Sequence, residues 1–121
     1  MTGLDMLDTE DAKIVTLARG ARLRAYAPHT GVEEGAAVRD SDGRTYAAAT
    51  VENAAAALTT SALRGAVAAA ASSGARTFEA AALVTAGALG DDDLAVLREF
   101  GTGVPVHVAG PDGVHRETRT T

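Results

Sequence analysis

The stretch from Phe78 to Thr85 most constrains what this chain can become. It is an apolar run of strand length and reads as a buried central strand. A strand with no polar face needs cover, so the flanking segments must supply helices that pack against it. The chain has 121 residues, enough for one domain with a single packed core, so residues 1–121 are read as one unit. The core has few aromatics to draw on, at 3% of the chain against 46% hydrophobic overall. It must therefore be built from Ala, Val and Leu, which bury little area each and require close packing of elements. Stability borrowed from self-association, as a homodimer or homotetramer, is expected on the same ground.

Two hairpin signals fix more of the sheet. Asp40-Ser41-Asp42-Gly43 joins predicted strands 34–39 and 44–50, since Gly accepts positive φ without steric cost. Gly110-Pro111-Asp112-Gly113 joins strands 104–109 and 114–120. Apolar residues at Ile14, Leu17, Ala18, Ala21 and Ala25 predict an amphipathic helix over 9–25, with Asp8 as N-cap and Pro28 as stop. An alanine-rich helix is predicted over 60–73, buried on most sides and ended by Ser72-Ser73-Gly74. Asp91-Asp92-Asp93 opens a short helix ending near Phe100, because three carboxylates suit a positive helix N-terminus. Residues 1–7 read as loose. The expected fold is an α/β domain of two or three layers, a five-stranded mixed sheet with helices packed on its faces.

Composition excludes several functions. With no cysteine, disulfides, thiolate catalysis and thiolate metal sites are ruled out. The net charge is −5, with no basic stretch, which argues against a nucleic-acid polymer or an anionic membrane as partner. Lys13 is the only lysine and falls on a predicted solvent face, a poor place for Schiff-base chemistry. No apolar run is long enough to span a bilayer and the N-terminus lacks a secretory pattern, so a cytoplasmic protein is expected.

In order along the chain, Tyr26-Ala27-Pro28, Gly35-Ala36-Ala37-Val38, Asp42-Gly43, Val51-Glu52-Asn53-Ala54 and Leu58-Thr59 carry a family pattern. Ser73-Gly74 through Phe78 to Val84 continues it, as do Leu97, Glu99-Phe100 and Val104-Pro105-Val106. Taken together the chain resembles the cytidine deaminase family. That resemblance implies a zinc ion held by a His or Cys at the start of one helix and a Cys-x-x-Cys pair at the start of the next. It also implies a proton-shuttling glutamate two residues after the first ligand. Here those positions are Ser61, Leu63, Gly90 and Asp93. Ser and Gly are not usual zinc ligands, and Leu cannot move a proton. His29, His107 and His115 are the only imidazoles, the last two falling on strands away from both helix starts. The expectation is a degenerate member with no metal and no cofactor.

The resemblance also locates a pocket wall. Arg64 matches the arginine after the catalytic glutamate and is expected to pair with Asp93, or with Asp91 or Asp92, filling the volume left by zinc. Glu52 matches the carboxylate that accepts a ribose hydroxyl; its usual asparagine partner is Thr50, and the ring-stacking phenylalanine is Val32. Sugar recognition is half kept and base stacking weakened, so Val32, Thr50, Glu52 and Ser61 are the candidate ligand-binding residues. Family tetramers often carry a further C-terminal segment that closes a neighbour's site. Arg116 to Thr121 is polar and stops at the last strand, so a more open cavity, or one closed by another protein, is expected. Three functions fit. The first is metal-free, non-hydrolytic acid/base chemistry on a small molecule, such as a biosynthetic intermediate, with Glu52, His29 and Tyr26 as acid and base. The second is a catalytically dead protein that binds a nucleoside-like ligand. The third is an interaction or regulatory subunit of an oligomer.

Overall fold

The computed structural model describes residues 7–121. Helix α1 (Thr9–Arg22) leads into strand β1 (Gly35–Asp40) and its hairpin partner β2 (Thr45–Ala49). A short 3-10 turn (Ala56–Leu58) precedes α2 (Ala62–Ser72), followed by β3 (Phe78–Val84), α3 (Asp91–Arg98), β4 (Pro105–Ala109) and β5 (His115–Thr120). The strands form one mixed sheet in the order β2-β1-β3-β4-β5, parallel between β3 and β4 and antiparallel elsewhere. The Phe78–Thr85 run is therefore the middle strand, as its composition requires.

Three layers result, and side-chain alternation sorts them. Ala36, Val38, Ala81, Leu83, Val106 and Val108 point toward α2 and α3. Ala37, Ala80, Ala82, Val84 and Ala109 point toward Ile14, Val15 and Ala18 of α1. Small side chains on that second face let α1 lie unusually close. Gly35 marks the tightest point: a Cβ there would stand 2.0 Å from the Ala18 carbonyl oxygen and 2.4 Å from the Arg22 nitrogen. Both neighbours are backbone, so neither can turn aside.

Element boundaries follow hydrogen bonds that composition does not reveal. Asp8 caps α1, accepting the Asp11 N–H at 2.8 Å. The helix ends at Arg22 rather than at residue 25, because Arg24 and Ala25 donate to Ala21 and Arg22 in a closing turn. Tyr26 then leaves to pair with the chain around Thr50. α2 starts at Ala62 because Thr60 is taken into a bridge with Val51. Its burial is narrower than its composition suggests: Ala62, Leu63, Ala66, Val67 and Ala70 are buried, while Ala68 and Ala69 face solvent. Alanine favours helix by propensity on an exposed face as well as a buried one. Lys13 is exposed and pairs with Glu10 at 2.8 Å. In the first hairpin Gly43 has φ 85°, and Asp40 accepts the N–H groups of Asp42 and Arg44. Residues 1–6, part of the stretch expected to be loose, lie outside the described residues. Among the described residues no helix is long and apolar enough to cross a membrane.

Candidate functional site

The starts of α2 and α3 are brought against each other by one hydroxyl. Ser61 is the N-cap of α2, accepting the Arg64 N–H at 3.2 Å. The same Ser61 Oγ donates to Asp93 Oδ1 at 2.8 Å, in the first turn of α3. Arg64 Nε points at both, 3.0 Å from Ser61 Oγ and 3.1 Å from Asp93 Oδ1. Leu63 lies beneath, fully buried, and Gly90 is the N-cap of α3 with no side chain to offer. The Arg64 side chain is 45% exposed, so the ion pair contributes about 0–1 kcal/mol. Its weight is geometric, since it ties two helix starts together.

This donor set does not fit zinc. Where the two helix starts meet, they bring together one carboxylate, Asp93, and one hydroxyl, Ser61, and the carboxylate oxygen is already engaged by a cation and an O–H group. Among the described residues no three His, Cys, Asp or Glu side chains gather where they could hold a metal ion. His107 and His115 lie elsewhere. Buried His107 sits between Asp11 (Nε2 to Oδ2, 2.9 Å) and Thr118 (Nδ1 to Oγ1, 2.9 Å), beside Arg39 on the α1 face.

Glu52 stands at the far end of β2, 8% exposed, and its carboxylate is closely bound. Oε1 accepts the backbone N–H groups of His29 (2.8 Å) and Thr30 (3.1 Å), and Oε2 accepts the Thr30 hydroxyl. The Thr30 hydroxyl, followed by the two amides and the nearby His29 ring, holds Glu52 below the usual carboxylate range against the opposing effect of burial. The structure thus joins Tyr26, His29 and Glu52 through the main chain. Tyr26 donates N–H to the Thr50 carbonyl, and its own carbonyl accepts from Glu52 N. The Tyr26 ring is 58% exposed and Val32 50% exposed. Thr50 is buried, and its hydroxyl accepts the Glu34 N–H at 3.1 Å.

Glu34 is the site residue that the sequence pattern did not single out. It precedes β1, and its Oε2 accepts from the fully buried Thr85 hydroxyl at the end of β3, at 2.7 Å. Burial, joined by the charge of Asp93, raises its pKa above the ordinary glutamate value despite the Thr85 hydrogen bond. One signal for it was present: consecutive carboxylates, Glu33-Glu34, immediately before a buried strand. Alternation sends one of such a pair outward and the other inward.

The loop after β3 is held from the edge strand. Arg116 donates to the carbonyls of Thr85 (2.9 Å) and Gly87 (2.8 Å). Arg119 donates to the Leu89 carbonyl (2.9 Å) and to Asp91 Oδ1 (3.0 Å). A surface concavity of about 500 Å³ opens between α1 and the β4–β5 turn, lined by Leu7, Ala12, Val15, Thr16, Val114 and His115 among others. It shares no residue with the corner formed by Glu34, Ser61 and Asp93.

The sequence model of the cytidine deaminase-like family matches residues 7–113. A cytidine deaminase of Sporosarcina psychrophila is 35% identical over 72 residues, 60% of this chain and 53% of that protein, about half its length. The crystal structure of cytidine deaminase from Burkholderia pseudomallei superposes with a TM-score of 0.81 at 29% identity, covering 96% of this chain and 92% of that one. Cytidine deaminase from Mycobacterium leprae gives 0.77 at 25% identity, covering 92% and 94%. That from Mycobacterium tuberculosis gives 0.75 at 28%, covering 90% and 91%. The five-stranded mixed sheet with its three helices is their architecture, and this chain belongs to the cytidine deaminase-like family.

Proposed function

We propose that this chain is a family member in which zinc-dependent deamination has been replaced by metal-free, non-hydrolytic acid/base chemistry on a small molecule. The observation that carries the reading is the Ser61–Arg64–Asp93 set. It joins the two helix starts with protein hydrogen bonds where a metal would otherwise join them. Elsewhere on the same fold Glu34 and Glu52 stand in contrasting environments, a feature that acid/base work uses. Glu52 has a supporting part in this reading. Its charge gathers the His29 and Thr30 amides and so shapes the loop from Tyr26 to Val32. Any ligand hydroxyl that it accepts competes with the Thr30 hydroxyl. The ligand is small and polar, and the chain acts as a homodimer or homotetramer.

The test joins metal analysis to turnover. Purified protein incubated with cytidine is expected to release no ammonia and to carry zinc well below one ion per chain. Stoichiometric zinc with ammonia release overturns the proposal. A second reading is a nucleoside-like ligand binder without chemistry, in which a ligand hydroxyl displaces the Thr30 hydroxyl from Glu52. It predicts thermal stabilisation by cytidine or uridine with neither molecule altered after prolonged incubation.

A further inference from the structure

The concavity between α1 and β5 is walled by Ala12, Val15, Thr16 and Val114 and holds one imidazole, that of His115. Its volume of about 500 Å³ suits a small ligand held by apolar walls and a few polar points. The polar point here belongs to a chain of hydrogen bonds that begins on α1. Asp11 Oδ1 accepts from Arg39 Nη2 at 2.9 Å, and Asp11 Oδ2 lies 2.9 Å from His107 Nε2. His107 Nδ1 is 2.9 Å from Thr118 Oγ1, and the same oxygen is 2.8 Å from His115 Nε2. Asp11, His107, Thr118 and His115 thus form one line across α1, β4 and β5.

Which atom donates to which follows by elimination. An ionised carboxylate only accepts, so His107 Nε2 carries hydrogen. His107 is buried and shares Asp11 with Arg39, and a second buried cation on that carboxylate would be costly, which leaves the ring neutral. Its Nδ1 is then a bare acceptor, and Thr118 gives it the one hydroxyl proton. The Thr118 oxygen is left to accept, so His115 Nε2 is the donor. A neutral His115 with hydrogen on Nε2 has a bare Nδ1. Among the described residues no hydrogen bond engages that nitrogen.

We propose that the groove between α1 and β5 is a binding site, separate from the helix-start corner, for a small apolar molecule carrying one hydrogen-bond donor, such as a phenolic hydroxyl. The apolar body lies against Ala12, Val15 and Val114, and the hydroxyl donates to His115 Nδ1. A ketone or carboxylate, which can only accept, meets a lone pair there and is rejected. Asp11 sets this preference from a distance. Through His107 and Thr118 it decides which nitrogen of His115 is bare.

Ring-nitrogen NMR on 15N-labelled protein, at a pH where His115 is neutral, reads the tautomers directly. Hydrogen on Nε2 of both His107 and His115 is expected; hydrogen on Nδ1 of either ring overturns the proposal. Titration with phenol and anisole, which share a ring and differ in the O–H donor, reads the preference. Phenol is expected to shift the His115 resonances and to bind about tenfold more tightly than anisole, as one neutral hydrogen bond allows. Equal binding, or no shift at His115 with either, overturns the proposal. Asp11→Asn supplies the reverse case. Arg39 keeps a carbonyl oxygen at the Oδ1 position, so the new amide N–H faces His107 and every proton in the chain turns round. Hydrogen on His115 is then expected on Nδ1, and anisole gains on phenol. Thr118→Val cuts the chain without touching α1 and is expected to leave His115 a mixture of tautomers with the preference erased. An undiminished preference for phenol in either folded variant overturns the proposal.

Discussion

Glu34 and Glu52 bracket one hairpin, the first just before β1 and the second just after β2, and the fold treats them in opposite ways. Each meets a threonine hydroxyl. Glu52 also receives two backbone amides, and three donors outweigh its burial. Glu34 receives the hydroxyl alone and has Asp93 near, and burial wins. The difference teaches that exposure does not decide a carboxyl's role; the count of donors against its desolvation does. One corner favours the charged carboxylate and the other disfavours it.

The most drastic way to break this comparison is to disturb both corners at once. Gly35→Ala forces a methyl group into the backbone of Ala18 and Arg22, displacing the start of β1 and Glu34 with it. A loss above about 4 kcal/mol in chemical denaturation is expected, or failure to accumulate folded protein. Near-normal stability would mean that α1 can slide.

Substitutions at the two glutamates should then differ in sign. Glu52 titrates below its ordinary range when folded. Its contribution is present above that range and is lost as pH falls through the depressed value. Glu52→Gln is therefore destabilising at neutral pH, by thermal unfolding, and the deficit narrows in acid. Glu34 is the reverse. Its contribution is complete below the ordinary glutamate range and is lost as pH rises through the raised value. Glu34→Gln is expected to stabilise the protein modestly at neutral pH, with the gain disappearing in acid. If both variants change stability in the same direction with pH, the contrast between the corners is wrong.

The smallest effect belongs to the ion pair. Arg64→Ala should cost about 0–1 kcal/mol and less in high salt, since the side chain is half exposed. A larger loss that salt leaves unchanged would show that Arg64 supports the helix junction by packing rather than by charge.

Much of the fold was legible because its signals are local. A hairpin needs its Asp-Gly turn, a central strand its apolar run, and α1 its Asp8 cap. The pairing of Arg64 with Asp93 could be anticipated because both sit at helix starts that the family pattern sets together. Glu34 escaped notice because its meaning depends on Thr85, 51 residues later, and on Asp93 beyond that. The Glu33-Glu34 pair says that one carboxylate turns inward, but not what it meets there. For Glu52 the partners are backbone N–H groups, which every residue but proline has, so nothing in the letters at His29 and Thr30 announces them. The end of α1 is hidden for a similar reason, since periodicity continues into Ala25 after the hydrogen bonds have already turned.

The arginine clamps on the loop after β3 carry a dynamic consequence. β5 is an edge strand, paired on one side only, and edges open more readily than the interior of a sheet. Arg116 and Arg119 hang the Thr85–Asp91 segment from that edge by four hydrogen bonds. The corner that joins Thr85 to Glu34 thus inherits the lifetime of the outermost strand rather than that of the core. Amide exchange at Gly87 should therefore rise and fall with exchange along β5, and this corner should lose its shape well before the protein unfolds.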